Sequence, residues 1–130
     1  MGRLDGRAAL VTGSGQGMGA AIARALAADG ARVVISDINA NAVAGTVSEF
    51  KEQGFEAMGV TMDVSDRQSV CGAIDSVTKE FGPLQILVNN AGGALHTPHL
   101  LDEIEEKHWD LVVNVNLKGA FFTCQKVIPI

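Results

Sequence analysis

Residues 10–20, Leu10-Val11-Thr12-Gly13-Ser14-Gly15-Gln16-Gly17-Met18-Gly19-Ala20, set glycines at every second position from 13 to 19, between an apolar run and an Ala-rich helical pattern. This reads as a strand ending in a glycine turn that opens a helix. The first N–H groups of such a helix lack intrahelical partners, and the macrodipole adds partial positive charge there. Glycines let a bulky anion rest against the backbone. A phosphate-bearing ligand is therefore expected at residues 13–19. A mobile Gly-rich linker would not be bracketed by a strand and a helix.

Spacing narrows the ligand. The common dinucleotide pattern Gly-x-Gly-x-x-Gly fails from Gly13, because Met18 takes the last place. From Gly15 it ends at Ala20, a weak match on its own. No Lys-Ser/Thr follows the glycines, so the phosphate loop of nucleoside triphosphatases is excluded. The best fit is Thr12-Gly13-x-x-x-Gly17-x-Gly19. Asp37 lies twenty residues beyond Gly17 and closes the apolar run from Arg32. A carboxylate there accepts hydrogen bonds from the ribose hydroxyls of adenosine and repels a 2′-phosphate. Gln16 and Ser36 offer that phosphate no cation, so NAD is expected ahead of NADP. Without this spacing, Asp37 would read only as an acid at a helix start. Asp63-Val64 end the next run and suit an adenine amino group and ring; Asp63 also reads simply as an acid before a capped helix. Asn89-Asn90-Ala91-Gly92 end the following run, with residues small enough for close approach of a cofactor.

These residues need elements to hold them. Strands are expected over 7–12, 32–37, 55–62 and 84–88, apolar without alternation as in sheets covered on both faces. A helix behind the glycines would turn Met18, Ile22 and Leu26 inward with Ala21 and Ala25 beside them, and stop at Gly30. A second spans about Asn39–Gln53, with Val43, Val47 and Phe50 inward. Ser65-Asp66-Arg67-Gln68 reads as a capping box with Ser65 at the cap. The helix behind it carries Val70, Ile74, Val77 and Phe81. From Asp102 a long helix shows Ile104, His108, Leu111, Val115, Gly119 and Phe122 on one face and continues to the last residue. Alternating strands and helices imply right-handed crossovers. The expected fold is α/β, a doubly wound parallel sheet (Rossmann fold) in the order 3-2-1-4.

Apolar residues make up 47% of the 130, enough for the core of one domain. Ten Lys/Arg against fifteen Asp/Glu give a net charge of −5, which argues against nucleic acid. No apolar run reaches membrane-spanning length and no signal peptide opens the chain, so a cytoplasmic protein with no membrane partner is expected. Cys71 and Cys124 are expected reduced and structural. His96 and His99 fall in a loop and His108 at a helix start, without an acid or Cys at ligand spacing. No metal is expected, and the two loop histidines suit a substrate mouth.

Together these motifs, followed by Asn114-Val115-Asn116-Leu117-Lys118-Gly119, resemble the classical branch of the short-chain dehydrogenase/reductase family. The resemblance covers the whole chain. Three residues between Gly13 and Gly17 point to that branch rather than the extended one. The resemblance implies that Gly13, Ser14, Gln16, Gly17, Met18 and Gly19 line the pyrophosphate and ribose. It gives Asp37 the ribose diol, Asp63 and Val64 the adenine, and Asn90, with Ala91 and Gly92, the nicotinamide side. Asn116 matches the catalytic Asn that holds a water in a proton relay. The family's Ser and Tyr-x-x-x-Lys lie beyond Ile130, and the chain contains no tyrosine. The expectation is an NAD(P)-binding Rossmann domain over residues 1–130, truncated after the helix that follows strand 4. It would be the N-terminal part of a single-domain enzyme that passes a hydride between NAD(H) and an alcohol or ketone. The parent would be a homodimer or homotetramer that packs through the long helix. The fragment alone would be inactive and, with an open apolar edge on its fourth strand, poorly folded. The alternative is a dinucleotide-binding half-domain or truncated product without chemistry.

Overall fold

The computed structural model describes residues 2–96 and 100–130. The element order is β1 (Ala8–Thr12), α1 (Gly17–Ala28), β2 (Arg32–Asp37), α2 (Ala40–Glu52), β3 (Ala57–Thr61), α3 (Arg67–Phe81) and β4 (Ile86–Val88). A 3₁₀ turn (Leu101–Glu103), α4 (Glu106–Val113), a π-helical segment (Asn114–Lys118) and α5 (Gly119–Val127) follow. The four strands form one parallel sheet in the order β3-β2-β1-β4, the expected doubly wound arrangement. Thr12 pairs with Ser36 and Asp37 with Thr61, while Val11 pairs with Val88. All four carboxyl ends therefore meet along one edge. The chain runs outward from β1 to β3 and then returns to β4 on the other side of β1. Ligands in such sheets sit at this reversal.

Both faces of the sheet are covered. Ala9, Val11, Val33 and Ile35 pack with Ala23 and Ala27 of α1 and Val43 and Phe50 of α2. Ala8, Leu10, Val34 and Met58 pack with Val70, Ile74, Val77 and Phe81 of α3 and Phe122 and Val127 of α5. Each fully buried Leu, Ile, Val or Phe here contributes about 1.5–3 kcal/mol. Helices α1 and α2 end in the same way: Gly30 and Gly54 adopt positive φ, and the residues after them donate back to Leu26 O and Phe50 O.

Four details depart from the sequence reading. The buried stripe of α1 is Gly19, Ala23 and Ala27, whereas Ile22 and Leu26 are half-buried and Met18, Ala21 and Ala25 face solvent. The helix leaves a tight turn close over the sheet, so only its smallest residues fit underneath. The cap of α3 is Asp66, whose side chain accepts from Gln68 N at 2.9 Å. Ser65 is not free to cap, because its hydroxyl donates to Asp63 Oδ1 at 2.6 Å. Strand β4 begins at Ile86 rather than Leu84, and β3 covers Ala57–Thr61. Finally, the long helix does not run unbroken from Asp102. It begins at Glu106, carries the π segment and ends at Val127. Leu111, ahead of the π segment, is exposed, while Gly119 and Phe122, after it, are buried.

Candidate functional site

A cleft of about 510 Å³ opens where the four strands end. Gly13, Gln16, Gly17, Met18 and Gly19 line one side. Asp37 and Ile38 come from the end of β2, and Met62, Asp63 and Val64 from the end of β3. Asn90, Ala91 and Gly92 come from the end of β4, with Leu95, Leu111 and Val115 beyond.

The glycine turn is locked from several directions. Thr12 Oγ1 accepts from both Asn90 N and Ala91 N at 2.9 Å, which ties β1 to the exit of β4. Asn90 Nδ2 donates to Gly13 O at 3.2 Å. Gly15 N donates to Asp37 Oδ2 at 3.1 Å, and Thr46 Oγ1 donates to Gly15 O at 2.7 Å. A Cβ on Gly19 would overlap the Gly13 carbonyl and press on Asn90 Nδ2. Gly17 differs: its φ is +60°, and the space where a Cβ would point is open. At the start of α1, Gln16 makes no side-chain cap hydrogen bond and the first turn carries no acid. The positive end of the helix therefore meets the cleft without a side chain to offset it.

Asp37 Oδ2 accepts from Gly15 N, and Oδ1 accepts from Asn39 N at 3.2 Å. A carboxylate has about four acceptor sites, so two remain for a ligand diol. Asp63 Oδ1 accepts from Ser65 N and Ser65 Oγ, while its Oδ2 has no partner among the described residues. Asp37 and Asp63 are the charged groups lining the cleft, and no Lys or Arg joins them among the described residues. Ser36 is buried and presents nothing to the cleft. The open cradle at Gly17, the uncapped helix start and the paired strand-end acids fit an adenine dinucleotide.

Two residues expected at the ligand are not among those lining the cleft. Ser14 is fully buried; its hydroxyl donates to Val11 O at 2.7 Å and accepts from Ser36 N at 2.9 Å. Its side chain holds β1 to β2 rather than facing a ligand. Asn116 lies in the π segment. Its Oδ1 accepts from Gly93 N at 2.8 Å, and its Nδ2 donates to Gly93 O and Val112 O at 3.0 and 2.9 Å. Both amide hydrogens are committed, so Nδ2 is not free to hold a water. The sequence reading missed Ile38, Met62, Leu95, Leu111 and Val115 as lining residues. Ile38 and Met62 adjoin the two acids and Leu111 and Val115 are one helical turn apart, signals that were available; Leu95 carried none. His96 is exposed and His108 half-buried, while Pro98 and His99 lie outside the described residues. No group of three or more His, Cys, Asp or Glu that could hold a metal occurs among the described residues. Cys71 and Cys124 are free thiols.

A doubly wound sheet with this cleft at its reversal is a Rossmann nucleotide-binding fold. The chain belongs to the short-chain dehydrogenase family, whose model matches residues 7–130. It is 41% identical over 124 residues to the (2S)-[(R)-hydroxy(phenyl)methyl]succinyl-CoA dehydrogenase subunit BbsD of Thauera aromatica, covering 95% of this chain and 49% of that one. A gluconate 5-dehydrogenase from Burkholderia cenocepacia, solved with NADP and tartrate, superposes with a TM-score of 0.89 at 42% identity, over 98% of this chain and 49% of that one. A short-chain dehydrogenase/reductase from Burkholderia phymatum, solved with NAD, gives 0.92 at 34% identity, over 100% and 46%. The chain spans about half the length of the curated relatives it matches.

Proposed function

We propose that residues 1–130 are the NAD-binding, N-terminal part of a single-domain oxidoreductase acting on an alcohol/carbonyl pair. The observation that carries this is the cleft itself, where an unopposed helix start faces two carboxylates and no cation. The N–H groups of Gly17, Met18 and Gly19 bind the pyrophosphate, which the open space at Gly17 admits. The remaining acceptor sites of Asp37 take the ribose diol and repel a 2′-phosphate. Asp63 Oδ2 accepts from the adenine amino group and Val64 flanks the ring. Asn90, Ala91 and Gly92 border the nicotinamide side, and Gln16 the phosphates. Bound here, the nicotinamide supplies a hydride donor or acceptor.

Ser14 and Asn116 position these groups. Ser14 ties the turn to β2, and Asn116 fixes Gly92–Gly93 beside the reacting end. An alcohol/carbonyl reaction also needs an acid/base, which the family resemblance assigns to a Tyr-x-x-x-Lys pair. This chain has no tyrosine. The 130 residues alone are therefore expected to show no turnover; the second reading is a dinucleotide-binding half-domain or truncated product without chemistry. Trp109, Leu117, Phe121 and Ile128 expose an apolar face along α4 to α5, which supports a homodimer or homotetramer of the parent. No helix among the described residues is long and apolar enough to cross a membrane.

The test is titration of the full-length protein with NADH and NADPH, followed by fluorescence. NADH should bind more tightly, and Asp37→Ala should narrow the difference. Tighter binding of NADPH by the unaltered protein would overturn the assignment to NAD.

A further inference from the structure

We infer that Gly119 is a positioning residue: it sets the depth of the cleft at Val64 and so governs how well the adenine end of a dinucleotide is held. The inference rests on the reading above. Gly119 is the first residue of α5, directly after the π segment, and is buried. A glycine inside a continuous helical stretch costs about 1 kcal/mol relative to alanine. No positive φ accounts for its presence, because the chain here is right-handed helix with φ −60° and ψ −45°. The packing does account for it. A Cβ at this position would lie 2.8 Å from Val64 Cγ2, 3.0 Å from Val64 Cβ and 3.3 Å from Val64 O. Those distances are too short for a methyl group beside a stiff β-branched side chain and its own backbone.

Val64 has nowhere else to go. It is 8% exposed and belongs to the core between the sheet, α3 and α5. Its remaining free side lines the cleft. The neighbouring Asp63 is held by Ser65 at Oδ1 and by the hydroxyl of Ser69 at its N–H. A methyl group at 119 therefore pushes Val64 into the cleft, beside the Asp63 oxygen that is open to ligand. Gly119 follows the π segment directly, and it is this residue that meets Val64.

The test compares Gly119→Ala, Val64→Ala and the double variant in the full-length protein, by titration with NADH and with reduced nicotinamide mononucleotide. The second probe carries the nicotinamide and its phosphate but no adenine. Gly119→Ala should weaken NADH about tenfold and leave the mononucleotide unchanged. In the Val64→Ala background the same substitution should cost much less, because the closest clash is gone. Equal losses with both probes, or equal losses in both backgrounds, would overturn the inference. If Gly119→Ala does not fold, the comparison rests on the double variant against Val64→Ala. If neither variant with alanine at 119 folds, the contact serves folding and the inference fails. Absence of NADH binding by the unaltered protein would instead refute the proposed function.

Discussion

At the scale of single residues, two glycines of one turn have different physical reasons to be glycine. Gly17 needs a left-handed backbone and faces open space, whereas Gly19 needs room against Gly13 and Asn90. Gly17→Ala should cost about 1–2 kcal/mol of stability through backbone strain alone. Gly19→Ala should cost more and lower the melting temperature further, since Gly13 O and Asn90 must move apart. Thermal denaturation of the two variants checks the ranking; equal losses would contradict it. Asp37 was legible from its spacing of twenty residues beyond Gly17, and Asp63 from its place at the end of the next apolar run. The true settings of Ser14 and Asn116 were not legible. Each side chain is held by a distant segment, Ser14 by Ser36 N and Asn116 by Gly93 N, and no local pattern signals such a partner.

At the scale of elements, the strands and helices followed from apolar runs and glycine stops, and their errors were local. The cap of α3 slipped by one residue because Asp63, two residues before Ser65, captured its hydroxyl. The inner stripe of α1 shifted because closeness to the sheet favours alanine over leucine. Helix α3 also carries a glycine with no packing role: Gly72 is exposed, and a Cβ there would meet nothing within 4 Å. Gly72→Ala should stabilise the protein by about 0.5–1 kcal/mol. A denaturant midpoint that stays unchanged or falls would count against this.

At the scale of the whole molecule, α5 is joined to α3 by an ion pair, Lys126 Nζ to Asp75 Oδ1 at 2.7 Å. The hydrogen bond that the Lys126 ammonium donates to Asp75 holds its pKa above the ordinary value of 10.5, against a smaller opposing effect of burial. A pKa raised on folding stabilises the folded state below the unfolded value and loses that effect as pH rises through the folded one. The melting temperature should therefore drop more steeply above pH 10.5 in the unaltered protein than in Asp75→Asn. Parallel slopes would remove the pair from the stability of the fold. The parallel sheet itself has one side of β4 without a strand partner among the described residues.

By itself, the sequence determined the alternation of strand and helix, the parallel order 3-2-1-4, the glycine turn and the acids at two strand ends. These depend on local pattern and on spacing along the chain, which the residue types carry directly. Only the tertiary structure decided which of those residues face the cleft. It gave the side chains of Ser14 and Asn116 hydrogen-bond partners in distant segments and brought Ile38, Met62, Leu95, Leu111 and Val115 to the lining. It also set Gly119 against Val64 across a gap of fifty-five positions. Such outcomes depend on how closely two segments approach in space, and no period or motif encodes that distance.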